Sequence, residues 1–159
     1  MDIHFKAIGL IHSPFNDIKK MPIQPKGASK IKGQIEIFPE FEEGLLDLDG
    51  FSHIILLYHF HKIQNPQLVV TPFLDDCEHG IFATRAPKRP NPIGLSVVKL
   101  IQINGRMIDI ENIDVLNQTP LIDLKPYVPE FDHHPTDRIG WFKKNIADTT
   151  HKRSDDRFR

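Results

Sequence analysis

The chain has 159 residues, a single cysteine and a formal net charge of −1, from 20 Lys+Arg against 21 Asp+Glu. That length suits one domain able to bury a core unaided, and a lone Cys77 excludes a disulfide framework and suits a reducing compartment, the cytoplasm. No apolar run nears the about 20 residues of a bilayer span, the opening MDIHFKAIGL lacks a signal peptide's long apolar core, and the basic excess of a non-specific nucleic-acid coat is missing.

Strand signals dominate in chain order. Phe5 to Ile11 is apolar-rich and stops at Ser13-Pro14. Gln34 to Phe38 alternates polar and apolar, as a half-buried strand does. Pro39 to Leu48 reads as a short helix, with Glu40, Glu42 and Glu43 early, where the helix dipole favours acids. Ser52 to Phe60 is nearly continuous in β-formers. Gln67 to Thr71 and Gly80 to Thr84 read as further strands. Ile93 to Ile103 and Arg106 to Ile113 form a hairpin about Asn104-Gly105, a dipeptide suited to a type I′ turn. Leu121 to Leu124 is one more strand, closed off by Pro126. Ile139 to Asp148 reads as a second helix anchored by Trp141 and Ile146, and the polar tail from His151 to Arg159 is expected to fray. Many short strands punctuated by 13 prolines suggest an all-β barrel or sandwich.

Charge is unevenly spread. Residues 1–84 carry 7 basic and 11 acidic groups, whereas residues 85–159 carry 13 and 10. No acid occurs between His79 and Ile108, where Arg85, Lys88, Arg89, Lys99 and Arg106 fall. Such a window either holds a phosphate backbone or anionic ligand, or is an ordinary charged face balanced elsewhere in the fold. No GxGxxG follows a strand, and Walker, GxSxG and CxxC motifs are absent.

The strongest local signal is GIFATRAPKRPNPIGLSVV at 80–98. Pro87, Pro90 and Pro92 hold this loop extended, so it loses little entropy when a ligand arrives. Arg85 and Arg89 offer forked donors for a carboxylate or phosphate. The bland alternative is a stiff connection between strands.

Together with Pro22-Ile23-Gln24-Pro25, LDGFSHIILLYHFH at 48–61 and TPLIDLKPYVPEFD at 119–132, this segment resembles the TsaA-like β-barrel family. That family includes the TrmO-type tRNA methyltransferases, which methylate N6 of threonylcarbamoyl-adenosine at position 37 of certain tRNAs. The resemblance implies an all-β fold, a compact β-barrel with one or two short helices over residues 3–132, with 133–159 left as a short helix and polar tail. It implies S-adenosylmethionine as cofactor, a homodimer, and tRNA, through its anticodon loop with modified A37, as partner. It places cofactor contacts at Pro22, Ile23, Gln24, His61, Lys62, Arg85, Arg89, Asn91, Pro92 and Leu95, and at the turn Leu116, Asn117, Gln118 and Thr119. The family's usual turn is Asp-Gly-Thr-Pro, whereas this chain has Asn117-Gln118-Thr119-Pro120. Gln118 carries a strain cost if φ is positive there, and Asn117 keeps a carbonyl but not the charge.

Methyl transfer from a sulfonium is an in-line displacement, helped by taking a proton from the acceptor nitrogen or polarising the carbonyl beside it. Asp123, Lys125 and Tyr127 alternate along a strand and are the candidate catalytic residues; Asp123 and Lys125 could equally form a structural ion pair. Nine histidines invite a metal reading, with His59 and His61 on one side of a strand and Asp132, His133, His134 and Asp137 clustered in sequence, but the convergent ligands of a zinc site are not evident and no metal is expected. Cys77 lies between two acids, Asp76 and Glu78, which disfavours a thiolate nucleophile. Other readings are a methyltransferase of the same fold acting on another RNA or a small molecule, and a non-catalytic cofactor-binding module.

Overall fold

The computed structural model describes residues 1–19, 21–23, 28–145, 151, 153–155 and 158. Its strands are β1 (Gly9–His12), β2 (Lys32–Ile37), β3 (His53–His59), β4 (Val69–Val70), β5 (His79–Gly80), β6 (Ile93–Asn104), β7 (Met107–Glu111) and β8 (Thr119–Pro126). Six of them close a barrel in the order β1-β2-β7-β6-β3-β8, every neighbouring pair antiparallel. β4 and β5 form a separate two-stranded ribbon. Two four-residue helices follow, α1 (Pro129–Asp132) and α2 (Phe142–Asn145). The all-β barrel with one or two short helices is therefore the fold.

Period-two alternation builds the interior. In β3, Ile54, Leu56 and Tyr58 point inward, and in β6 so do Gly94, Ser96, Val98 and Leu100. They meet Ile11, Ile35, Ile37, Ile108, Ile110 and Leu121 from the other strands in one cluster. A barrel of this strand number is filled by its own side chains, so any ligand must bind at an end or on the outside.

Several expectations need correction. β1 begins at Gly9, not Phe5, because Phe5 and its neighbours are exposed and find no strand to pair with. The strand expected over Gln67 to Thr71 shrinks to Val69–Val70, and Gly80 to Thr84 is not a strand: Ile81–Ala83 is a 3₁₀ turn. There the Ile81 carbonyl accepts from the Thr84 amide (3.1 Å), the Thr84 hydroxyl (2.9 Å) and Arg89 (3.0 Å), which removes it from any ladder. The helix expected over Pro39 to Leu48 is likewise two 3₁₀ turns, Pro39–Leu45 and Leu48–Gly50, broken by Asp47 in the left-handed region. The β6–β7 hairpin exists, but Asn104 pairs with Met107, so the loop residues are Gly105 and Arg106. Gly105 alone carries a positive φ (57°), the pattern of a II′ turn rather than I′. The C-terminal tail does not fray where it is described: Phe158 is 2% exposed and meets the Phe73 ring edge-on at 4.9 Å. Of the second predicted helix, Phe142–Asn145 is helical; Ile146 lies outside the described residues, as does Gln24. Among the described residues no helix is long and apolar enough to cross a membrane.

Candidate functional site

β3 runs antiparallel to β6 and β8, so the end of β3 meets the beginnings of β6 and β8 at one end of the barrel: Tyr58 pairs with Gly94 on one side and Leu121 on the other. A cavity of about 390 Å³ opens there. Tyr58, Phe60, His61 and Lys62 line it from the end of β3, and Arg85, Arg89, Gly94 and Leu95 from the proline-rich loop and β6. Asp114, Leu116 and Thr119 contribute from the β7–β8 connection, and Pro22 and Ile23 from the segment before β2. Nine residues expected to touch a cofactor thus converge from four stretches of chain.

The loop is held as its prolines suggest, with Arg89 as the clamp. One guanidinium nitrogen, Nη1, donates to the carbonyls of Ile81 and Thr84 at 3.0 Å each and reaches that of Ala86 at 3.5 Å. Its guanidinium also stands 5.8 Å from the Phe82 ring centroid. Much of the donor capacity expected for a ligand is therefore committed to the backbone. Asn91 and Pro92 do not line the cavity; the Pro92 carbonyl accepts from the Phe60 amide (2.8 Å), and the Asn91 carbonyl from Ile93 (2.8 Å), tying the loop to β3 and β6.

A buried polar chain forms one wall. The Ser96 hydroxyl donates to Asp114 Oδ1 at 2.7 Å, and the Tyr58 hydroxyl lies 3.0 Å from Ser96 Oγ. Serine has one proton to give, so with Ser96 donating to Asp114, Tyr58 donates to Ser96. Burial pushes the Asp114 carboxyl up to about 6 from 3.8, against the lowering effect of the Ser96 bond, its own backbone amide and the Arg85 charge. Burial first, and the Asp114 charge second, raise Tyr58 so far that it stays protonated. His61 is lowered by burial and then by the neighbouring Lys62 charge. Tyr58, Ser96 and Asp114 were not among the sequence candidates. The available signal was parity: a Tyr and a Ser at inward positions of paired strands need polar partners.

The altered turn sits beside the cavity. Leu116 and Thr119 line it, with the Thr119 hydroxyl donating to the Leu116 carbonyl at 2.7 Å. Gln118 takes a positive φ of 61° and its amide lies 2.8 Å from His12 Nδ1, pointing away. Asn117 accepts from the Ser13 amide (3.2 Å) and donates to Asn16 (2.9 Å), pinning the loop after β1. Neither Asn117 nor Gln118 lines the cavity.

Asp123, Lys125 and Tyr127 are not brought to this cavity. They lie toward the other end of β8, where Lys125 pairs with Ile55 and the Tyr127 amide donates to the His53 carbonyl. At about 3.3 Å per residue, Lys125 is roughly 20 Å along the strand from Thr119. Lys125 Nζ and Asp123 Oδ2 form a half-exposed ion pair at 2.6 Å, and the Tyr127 ring stands edge-on to His53 at 6.4 Å. No group of three or more His, Cys, Asp or Glu able to hold a metal occurs among the described residues.

The C-terminal segment supplies a wall that sequence reasoning did not foresee. Trp141, Phe142, Ser154 and Phe158 all line the cavity. Trp141 stacks on His79 (4.5 Å) and donates its indole N–H to the Ala83 carbonyl at 2.8 Å. The Met21 amide donates to Ser154 Oγ at 2.9 Å and the Ser154 amide to the Met21 carbonyl at 3.0 Å, docking the tail beside Pro22 and Ile23.

Comparison with known proteins agrees with this geometry. Residues 10–133 match the family model of the tRNA-methyltransferase O N-terminal domain. A probable S-adenosyl-L-methionine-binding protein of Pyrococcus abyssi is 52% identical over 98% of this chain and 85% of its own length. The human tRNA (adenine(37)-N6)-methyltransferase is 36% identical over 80% of this chain, which spans only 30% of that enzyme. The crystal structure of TrmO from Pseudomonas aeruginosa superposes with a TM-score of 0.74 at 36% identity, covering 89% of this chain and 63% of that one. A barrel of this topology, with the proline-rich loop and the Thr119-Pro120 turn meeting at one cavity, is what the matched region encodes, and the chain belongs to the tRNA-methyltransferase O family.

Proposed function

We propose that the protein is an S-adenosylmethionine-dependent tRNA methyltransferase acting on N6 of threonylcarbamoyl-adenosine at position 37 in the anticodon loop, working where tRNA is, in the cytoplasm. The observation that carries the reading is convergence: Pro22 and Ile23, His61 and Lys62, Arg85 and Leu95, and Leu116 and Thr119 all face one cavity. Its volume of about 390 Å³ falls within the range of roughly 300–1,000 Å³ usual for small-molecule sites. Phe60, Ile93, Leu95 and Leu116 offer apolar surface to an adenine ring, while Lys62 and Arg85 offer cations to a carboxylate.

When bound, S-adenosylmethionine supplies an activated methyl group. The protein's own residues then have to align it with the acceptor, a contribution on the order of 7–11 kcal/mol when the geometry is right. Asp123, Lys125 and Tyr127 remain the proposed acceptor-side residues. Their position far along β8 requires that a second copy of the chain bring them to this cavity, so the homodimer is part of the proposal. Exposed Leu68, Val69 and Phe82 beside the loop, with Leu95 half-exposed at the cavity, support such an association. Lys88, on the acid-free stretch and outside the cavity lining, supports contact with phosphates.

The test is methyl transfer to tRNA carrying threonylcarbamoyl-adenosine and to the same tRNA without it, read by nucleoside mass spectrometry. One added methyl on the modified nucleoside alone is expected. Equal methylation of both would overturn the substrate, and tight cofactor binding with no transfer to either would point to a binding module.

A further inference from the structure

Asp114 is the one carboxylate among the described residues that line the cavity, which otherwise presents Lys62, Arg85 and Arg89. A buried charge is retained in proteins when it is paired. The Asp114 carboxylate receives one hydrogen bond from the uncharged Ser96 hydroxyl, itself 1% exposed and backed by Tyr58. The cation Arg85 is near enough to act on it, yet burial still outweighs every favourable influence and keeps the carboxyl high. The protein has therefore fixed an acid in a partly desolvated wall without supplying a full counter-charge. Gly94 contributes by omission, because a Cβ there would lie 2.2 Å from the Tyr58 ring and displace the residue that backs Ser96.

We propose that Asp114, aimed by Ser96 and Tyr58, is the ligand-binding counter-charge of this cavity, recognising a cationic centre on the bound molecule. This rests on the S-adenosylmethionine reading, whose ligand offers two cations, a sulfonium and an α-ammonium. The same charge gives the protein a means of telling cofactor from product, since methyl transfer turns the sulfonium into a neutral thioether. The groups facing Asp114 are Ser96 on β6, Tyr58 on β3 and the Arg85 cation on the loop, and Tyr58, raised by its burial, stays protonated from pH 5 to 7.5. His61, which also lines the cavity, does titrate in the acid range. A ligand that needs the ionised acid should bind about tenfold more weakly at pH 5 than at pH 7.5, because protonation of Asp114 competes with it.

The experiment is calorimetry of the wild type and of Asp114→Asn with S-adenosylmethionine and with S-adenosylhomocysteine, at both pH values. Wild type should bind S-adenosylmethionine and lose most of that affinity at pH 5. Asp114→Asn should bind at least about tenfold more weakly at pH 7.5, as loss of a charge-assisted contact implies, and should change less than about twofold with pH, His61 being intact. A loss confined to S-adenosylmethionine identifies the sulfonium as the cation; an equal loss for both ligands identifies the ammonium. Wild-type binding that is insensitive to pH, or a folded variant that binds as wild type does, overturns the assignment. Failure of the wild type to bind S-adenosylmethionine at all overturns the cofactor reading, and this assignment falls with it.

Discussion

The ring of Tyr58 lies against the backbone of Gly94 so closely that a Cβ on residue 94 would stand 2.2 Å from Cε2 and 2.4 Å from Cζ. The two residues are cross-strand partners in β3 and β6. The glycine lets a large inward ring fit at the barrel mouth and deliver its hydroxyl to Ser96. Gly94→Ala should cost about 1–3 kcal/mol through overpacking, each kcal/mol lowering Tm by about 2–4 °C at this chain length. It should also weaken cofactor binding. Thermal melts alongside calorimetry check both, and an unchanged Tm would mean that the ring moves aside freely.

Asp114 should make the protein less stable at neutral pH than its neutral counterpart. Its folded pKa, about 6, lies above the ordinary 3.8, so folding favours the protonated form. The stability this provides is complete below 3.8 and is lost as pH rises through about 6. Asp114→Asn is therefore expected to raise stability at pH 7.5 by on the order of 1 kcal/mol, discounted for partial exposure, with the advantage fading toward pH 4. Melts across that range read it directly; a variant destabilised equally at every pH contradicts it.

Arg85 and Arg89 should fail differently. Arg85→Ala is expected to weaken cofactor affinity by at least about tenfold, the loss of a hydrogen-bonding charge, while leaving the fold intact. Arg89→Ala removes the Nη1 donor that serves the carbonyls of Ile81 and Thr84. It should loosen the loop, seen as faster hydrogen exchange at Thr84 and Ala86, whose amides bond within that turn. Unchanged exchange would mean that the prolines alone hold the loop.

If a second copy completes the site, two inactive variants should rescue each other. At cofactor concentrations well below the dissociation constant of the Arg85→Ala variant, Arg85→Ala and Lys125→Ala homodimers are each expected to be nearly inactive, whereas a mixed population should recover about one quarter of wild-type activity, because half the dimers are mixed and each keeps one intact site. No recovery on mixing, with subunit exchange demonstrated, would confine both residues to one chain or exclude Lys125 from the reaction.

How much of this was legible follows from where each signal lay. The proline-rich loop, the hairpin and β3 announce themselves locally, through proline spacing, Asn104-Gly105 and a continuous β-forming run. The 3₁₀ turn at Ile81–Ala83 could not be read from its β-formers, because it is Arg89, eight residues after Ile81, that captures its carbonyls. Asp114 was overlooked as an isolated acid between strands; its meaning arises from a contact 18 residues back, at Ser96. Phe158 in a polar tail gave no pattern at all, and it docks through Phe73, far away in sequence. The resemblance supplied most of the cofactor candidates, and those on the clamp and the turn, Asn91, Pro92, Asn117 and Gln118, hold the cavity's frame rather than its lining.

The cavity as the cofactor site is most directly tested by a crystal structure of the protein grown with S-adenosylmethionine. The expected result is ligand density between Tyr58, Arg85 and Asp114, with its charged end toward Asp114. Density at any other surface, or an empty cavity at millimolar ligand, would contradict it.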